Sequence, residues 1–269
     1  MNAFLSAWHW PLPQMVASAA ALVFYFLKFR PREAGRIACF VSGLALFILT
    51  IASPLDLLGR QYLLSAEVIM HVIVALAVPL CLVGGLPRSP DALPGNRILP
   101  YVGWVAGSLT IAVWFLPSVF DATLKNSWLW DVMQITLVAG GVAFWWPLFS
   151  PARTSRIKPV PAGIWYLFGA MIWCSFAGML LAFTNLDAFQ PYVRVQDTLG
   201  ILSFIREDLE LTRAADQETG GMLLWLGTMA IFLTTVMVLF YQWYRSPEVR
   251  NEFEPQQAAT VKKAREGQA

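Results

Sequence analysis

Seven long apolar runs constrain this chain more than any other feature: Trp10 to Phe29, Ile37 to Ala52, Gln61 to Gly84, Leu99 to Pro117, Trp128 to Phe149, Gly163 to Thr184 and Thr219 to Tyr244. Each is near the ~20 residues a helix needs to cross about 30 Å of hydrocarbon. Backbone amides find no water there, so a spanning segment must close its hydrogen bonds internally, and runs of this length do so as helices. Composition agrees, with 57% hydrophobic and 13% charged residues and a mean hydropathy of +0.57. A soluble domain of this size would be far less apolar. The sequence therefore predicts an all-α integral membrane protein, a seven-transmembrane helix bundle over residues 1–245 that sits in the lipid bilayer.

Lys and Arg set the expected orientation, because short cytoplasmic loops retain positive charge. With the N-terminus out and the C-terminus in, the inner segments hold Lys28, Arg30, Arg32, Arg36, Arg88, Arg97, Arg153, Arg156, Lys158 and the five cations from Arg245 onward. The outer segments hold only Arg60, Lys125, Arg194, Arg206 and Arg213. A net charge of +2 spread this way gives no reason to expect nucleic acid as a partner. No charged residue precedes the first run and four follow it, the reverse of a secretory signal, so the first helix is expected to be retained.

Trp8, Trp10, Trp128, Trp145, Trp146, Trp243 and Tyr244 lie near predicted helix ends, where amphipathic rings favour the headgroup layer. Residues 246–269 are polar and read as a disordered cytoplasmic tail. The last outer loop, 185–218, carries Leu199, Leu202, Ile205 and Leu209 at near-helical spacing, which predicts an interfacial amphipathic helix over about 198–213. Cys39, Cys81 and Cys174 fall in different spans without close spacing and read as small buried hydrophobes.

Within the third run, Glu67 and His71 are i, i+4 neighbours with Met70 beside them. Ionisable groups at membrane depth are costly unpaired, so the two are expected to pair with each other or with something that enters the bundle. The fifth run begins with Asp131, Met133 and Gln134, and the seventh is preceded or opened by Asp216, Gln217 and Met222, all at the same outer level. Thioether and imidazole ligands suit Cu(I), and carboxylates can orient an imidazole. The candidate metal ligands are thus His71, Met70, Glu67, Met133 and Met222, supported by Asp131, Asp216 and Gln217.

Ser65-Ala66-Glu67-Val68-Ile69-Met70-His71, the run to Pro79 and the Gly84 to Pro87 exit resemble the multi-spanning CtaG family of caa(3)-type cytochrome c oxidase assembly factors. Trp114-Phe115-Leu116-Pro117 with Phe120-Asp121-Ala122, Phe144-Trp145-Trp146-Pro147-Leu148, and Asp216-Gln217 with Gly220, Gly221, Met222 and Trp225 carry the likeness further along the chain. The family's pattern places histidines where this chain has Glu67, Phe115, Trp130 and Gln134, so His71 alone matches, with His9 an unrelated outer candidate.

The resemblance implies a non-enzymatic factor of the bacterial plasma (inner) membrane that helps assemble a haem-copper oxidase. Its implied partners are oxidase subunits and a periplasmic copper chaperone, and its implied cofactor is Cu(I) or none. Two alternatives stay open. One is a metal-free scaffold or accessory subunit bound to the oxidase. The other is an ion or proton transporter using Glu67, His71 and Asp131, although no matching acidic or basic residues continue the path through the inner half.

Overall fold

A computed structural model describes residues 8–87, 98–150, 157, 160–183, 189–193, 195–197 and 199–245; the expected tail at 246–269 lies outside them. The order is α1 (Leu12–Phe29), α2 (Ala34–Ala52), α3 (Pro54–Gln61), α4 (Leu64–Gly84), α5 (Leu99–Trp114), α6 (Pro117–Lys125), α7 (Ser127–Phe149), α8 (Val160–Phe183), α9 (Gln190–Val193) and α10 (Arg213–Tyr244). No strand occurs among the described residues.

Among the described residues six helices, α1, α2, α4, α7, α8 and α10, are long and apolar enough to span a membrane. The fourth of the seven expected spans is broken rather than continuous. Helix α5 has 16 residues, about 24 Å at 1.5 Å per residue, and reaches span length only with α6 across a 71° bend. Pro117 explains the bend, since a residue before proline is pushed out of the helical region, and Leu116 is extended at φ −66°, ψ 124°.

The third run also divides. Ser53 accepts from the Leu55 amide and Pro54 occupies the first turn, so α3 starts on its own cap and ends at Gln61. Extended Leu63 then separates it from α4. Midway along α4 the helix widens to a π turn over Ile73–Ala77, where the Val78 amide reaches back to the Ile73 carbonyl. Pro79 lies just beyond, and a π turn relieves the clash its ring would make one turn earlier. The Trp145 indole donates to the Leu76 carbonyl at 2.9 Å. Trp145 is completely buried, so it is a core residue of α7 rather than the interfacial anchor expected from its position. Trp128 and Tyr244 are each 65% exposed.

Helix α10 begins at Arg213, six residues before the predicted span, because the Thr212 side chain caps the Ala215 amide at 3.2 Å. The expected helix over 198–213 shrinks to a turn at 202–208, π-helical over Phe204–Asp208. Glu210 in the left-handed region stops it. Ile205 is buried but Phe204 and Leu209 are exposed, so no continuous apolar stripe forms.

Helix α4 is the centre of the bundle, packed on α2, α3, α7 and α10. Two thirds of it is buried, against a small fraction of α1. Helices α8 and α10 meet closely because both faces lack side chains at the crossing: a Cβ on Gly178 would fall 2.7 Å from the Gly221 carbonyl.

Candidate functional site: a buried Glu67 and His71 beneath helix α3

Glu67 and His71 lie one turn apart on α4 and are fully buried, at 0% and 1% exposure. The His71 Nδ1 atom is 3.0 Å from the Glu67 backbone carbonyl, with hydrogen-bond geometry, and 3.1 Å from Glu67 Oε1 as a close ion-pair contact. Both neighbours are acceptors, so Nδ1 carries the proton, and in the neutral ring Nε2 keeps its lone pair. Nε2 and both Glu67 carboxylate oxygens are buried without a hydrogen-bond partner.

Aromatic rings wall the imidazole. Phe115 stands 4.8 Å from it and Phe120 6.4 Å, and Phe120 packs edge-on against Phe189 at 5.4 Å. Helix α3 roofs the carboxylate. A Cβ on Gly59 would sit 2.5 Å from Glu67 Oε2 and 3.1 Å from the Glu67 backbone, so a larger residue here would push the carboxylate aside and crowd α4. The Tyr192 hydroxyl donates to the Gly59 carbonyl and fixes the roof in place. Burial, with the nearby carboxylates of Glu67, Asp216 and Asp121, holds that phenol well above its usual range.

A second buried carboxylate, Asp56, lies in the roof helix itself, with Arg60 Nε at 3.8 Å and His9 Nε2 at 3.9 Å. Burial pushes its carboxyl up to about 7, with Arg60 opposing the rise and Glu67 adding to it. Half-exposed His9 is held below its ordinary value by partial burial and by Arg60. The Arg60 guanidinium in turn covers the Trp130 ring at 4.0 Å. Asp56, Gly59 and Tyr192 were absent from the sequence-based candidates. The Ser53-Pro54-Leu55-Asp56 start signal could have marked α3, but its placement over Glu67 is a tertiary fact.

Asp216 has another role. Its carboxylate accepts from the Leu64 amide at 2.8 Å, the Ser65 amide at 3.1 Å and the Ser65 hydroxyl at 2.5 Å. It therefore caps the N-terminus of α4 from across the bundle, satisfying amides a helix start leaves open. Gln217 donates to the Leu181 carbonyl at 3.0 Å.

The thioethers divide. Met70 and Met133 are buried in one apolar cluster with Trp114, Trp130 and Leu137. Met222 is 49% exposed on the outside of α10, so the expectation that it turns toward His71 is corrected. Asp131 is likewise exposed, bonded at 2.8 Å to Gln14, and does not orient His71. Gln134 is buried on α7 with its side-chain oxygen unpartnered. Among the described residues no three His, Cys, Asp or Glu side chains converge as a metal cluster.

Comparison with known proteins places these residues in a wider setting. No solved structure matches the chain. Proteins described as uncharacterized from Mycobacterium bovis and Mycobacterium tuberculosis are each 24% identical over 238 residues, and one from Mycobacterium leprae is 25% identical over 240. Each match takes in 78% of this chain but 34% of the relative, so the chain spans about a third of the length of these curated relatives. The model of the cytochrome c oxidase caa3 assembly factor family matches residues 20–246, from within α1 to just past α10. That stretch contains the central α4, its Asp216 cap, the Phe115 wall and the Gly178 and Gly221 crossing, and on it this apolar helical chain belongs to the cytochrome c oxidase caa3 assembly factor family.

Proposed function

We propose that this chain works in the assembly of a haem-copper cytochrome c oxidase, from within the bacterial inner membrane, with the Glu67 end of α4 facing outside as the Lys and Arg bias directs. Its role is to hold and pass on cargo rather than to catalyse a reaction. The cargo is Cu(I), bound transiently at His71 and passed between a periplasmic copper chaperone and oxidase subunits. One observation carries this reading: a buried imidazole whose Nδ1 proton is occupied offers a free Nε2, on a ring whose Nδ1 side faces a carboxylate that has no hydrogen bond. Neutral imidazole with its other nitrogen pinned is a ligating form. The Glu67 charge offsets that of a monovalent cation, without which burial would be prohibitive. Met70, adjacent in sequence, and Met133 supply soft donors in the neighbouring cluster, while Met222 and Asp131 take no part. So few strong ligands suit an ion that must be released.

Anaerobic Cu(I) loading of the detergent-purified protein tests this. His71→Ala should lower bound copper by about one equivalent and cut the copper content and activity of the oxidase in cells. Wild-type copper content in that variant sinks the cargo reading and leaves the family assignment untouched.

A second reading, a metal-free scaffold attached to the oxidase, is favoured by the lack, among the described residues, of any cluster of three His, Cys, Asp or Glu side chains, and the Asp216-Gln217 segment with its glycines speaks only for the fold. Those residues are consumed in capping α4 and packing α8, which serves the fold and not a cargo. A stoichiometric complex that persists on the mature oxidase would support it; association confined to assembly would not.

A further inference from the structure

The end of the bundle opposite Glu67 brings together two cysteines that lie 42 residues apart in sequence. Cys39 stands in the second turn of α2 and Cys81 in the last turn of α4. The Cys39 thiol donates to the Cys81 carbonyl at 3.3 Å, which brings it beside the residue that carries the second thiol. Gly43 permits this approach, since a Cβ there would lie 3.0 Å from Cys81 Cβ. Both cysteines are only partly buried. Arg36, one turn before Cys39, is within electrostatic reach of that thiol. Its guanidinium donates to the Gly84 and Leu86 carbonyls and, at its outer edge, pairs with exposed Glu33.

We infer that Cys39 and Cys81 form a two-coordinate site for a soft monovalent cation, Cu(I), separate from the Glu67 and His71 site. Thiolates select Cu(I), whereas a structural Zn(II) asks for four ligands, and among the described residues no metal-binding group of three or more His, Cys, Asp or Glu includes this pair. Binding is redox-neutral. Each thiol releases one proton, both thiolates bond the ion, and the complex carries one negative charge that the Arg36 cation offsets. The pair ties α2 to α4, so occupancy clamps the two helices at the end the charge bias assigns to the cytoplasm. This goes beyond the cargo role proposed for His71 and does not depend on it.

Maleimide labelling of the reduced, anaerobic wild-type protein, followed by peptide mapping, tests the inference without any variant. Stoichiometric Cu(I) should slow labelling of Cys39 and Cys81 by about tenfold or more, because the thiolate is the reacting species, and Zn(II) should not. In the His71→Ala background, X-ray absorption should find copper with two sulfur neighbours, and Cys39→Ser or Cys81→Ser should abolish that signal. Unchanged labelling with Cu(I), equal protection by Zn(II), or copper retained in both serine variants would overturn it. If His71→Ala loses about one equivalent of copper while Cu(I) still protects Cys39 and Cys81, both sites stand; if it loses none while protection persists, only the His71 reading fails.

Discussion

Asp216 and Glu67 are buried carboxylates on adjoining helices at the same end of the bundle, and they are treated in opposite ways. Asp216 receives two backbone amides and a hydroxyl, so its charge does structural work at the start of α4. Glu67 receives no hydrogen bond; its company is the His71 ring edge and the bare backbone of Gly59. A satisfied buried charge fixes a fold, while an unsatisfied one costs stability and persists where something else uses it. Asp56, paired only loosely with Arg60 and His9, lies between these extremes.

Removing the satisfied carboxylate should do the most damage. Asp216→Ala leaves two buried amides and a hydroxyl without their acceptor, a loss of about 4 kcal/mol, or roughly 10 °C in thermal unfolding in detergent. A melting temperature within a degree or two of wild type would dissolve the contrast with Glu67.

Asp56 should give an intermediate effect that depends on pH. Its folded carboxyl titrates at about 7 against an ordinary 3.8, so folding favours the protonated form. The unfolded chain is deprotonated first, and stability falls as pH rises from about 4 through about 7. Asp56→Asn, which cannot ionise, should therefore gain about 5 °C over wild type between pH 5 and pH 8. Equal pH profiles for the two proteins would show Arg60 and His9 compensating fully.

Glu67→Gln should be the mildest change in stability, within about 1 kcal/mol of wild type, because no hydrogen bond to the carboxylate is lost and a buried charge is removed. Its consequence belongs to binding. Cu(I) retention should drop with the fold intact, which a melting curve and a copper titration on the same sample would establish. A collapse in stability as large as that of Asp216→Ala would make Glu67 another structural carboxylate.

Much of the fold was legible because hydrocarbon imposes simple demands on length and polarity. Leu12–Phe29, Ser127–Phe149 and Val160–Phe183 fall within three residues of the predicted spans for that reason. Departures occur where local backbone chemistry intervenes. Pro117 bends the fourth span, Ser53 and Pro54 detach α3, and Thr212 starts α10 early. Trp145 misled because a position near a span end predicts an interface, whereas the π turn of α4 offered its indole a buried carbonyl.

For the site, the i, i+4 spacing of Glu67 and His71 was enough to pair them, since helical geometry alone makes such residues neighbours. Their depth, their chemistry and the resemblance to an oxidase assembly family also came from the residues as written. The tertiary structure alone decided that Met222 and Asp131 face outward, that Asp216 caps α4, that Gly59 lies on Glu67, and that Cys39 meets Cys81. Each of these depends on how helices distant in sequence rotate and cross, and hydropathy, which is nearly uniform around an apolar helix, leaves that rotation unspecified until the small residues and polar groups of neighbouring helices find one another.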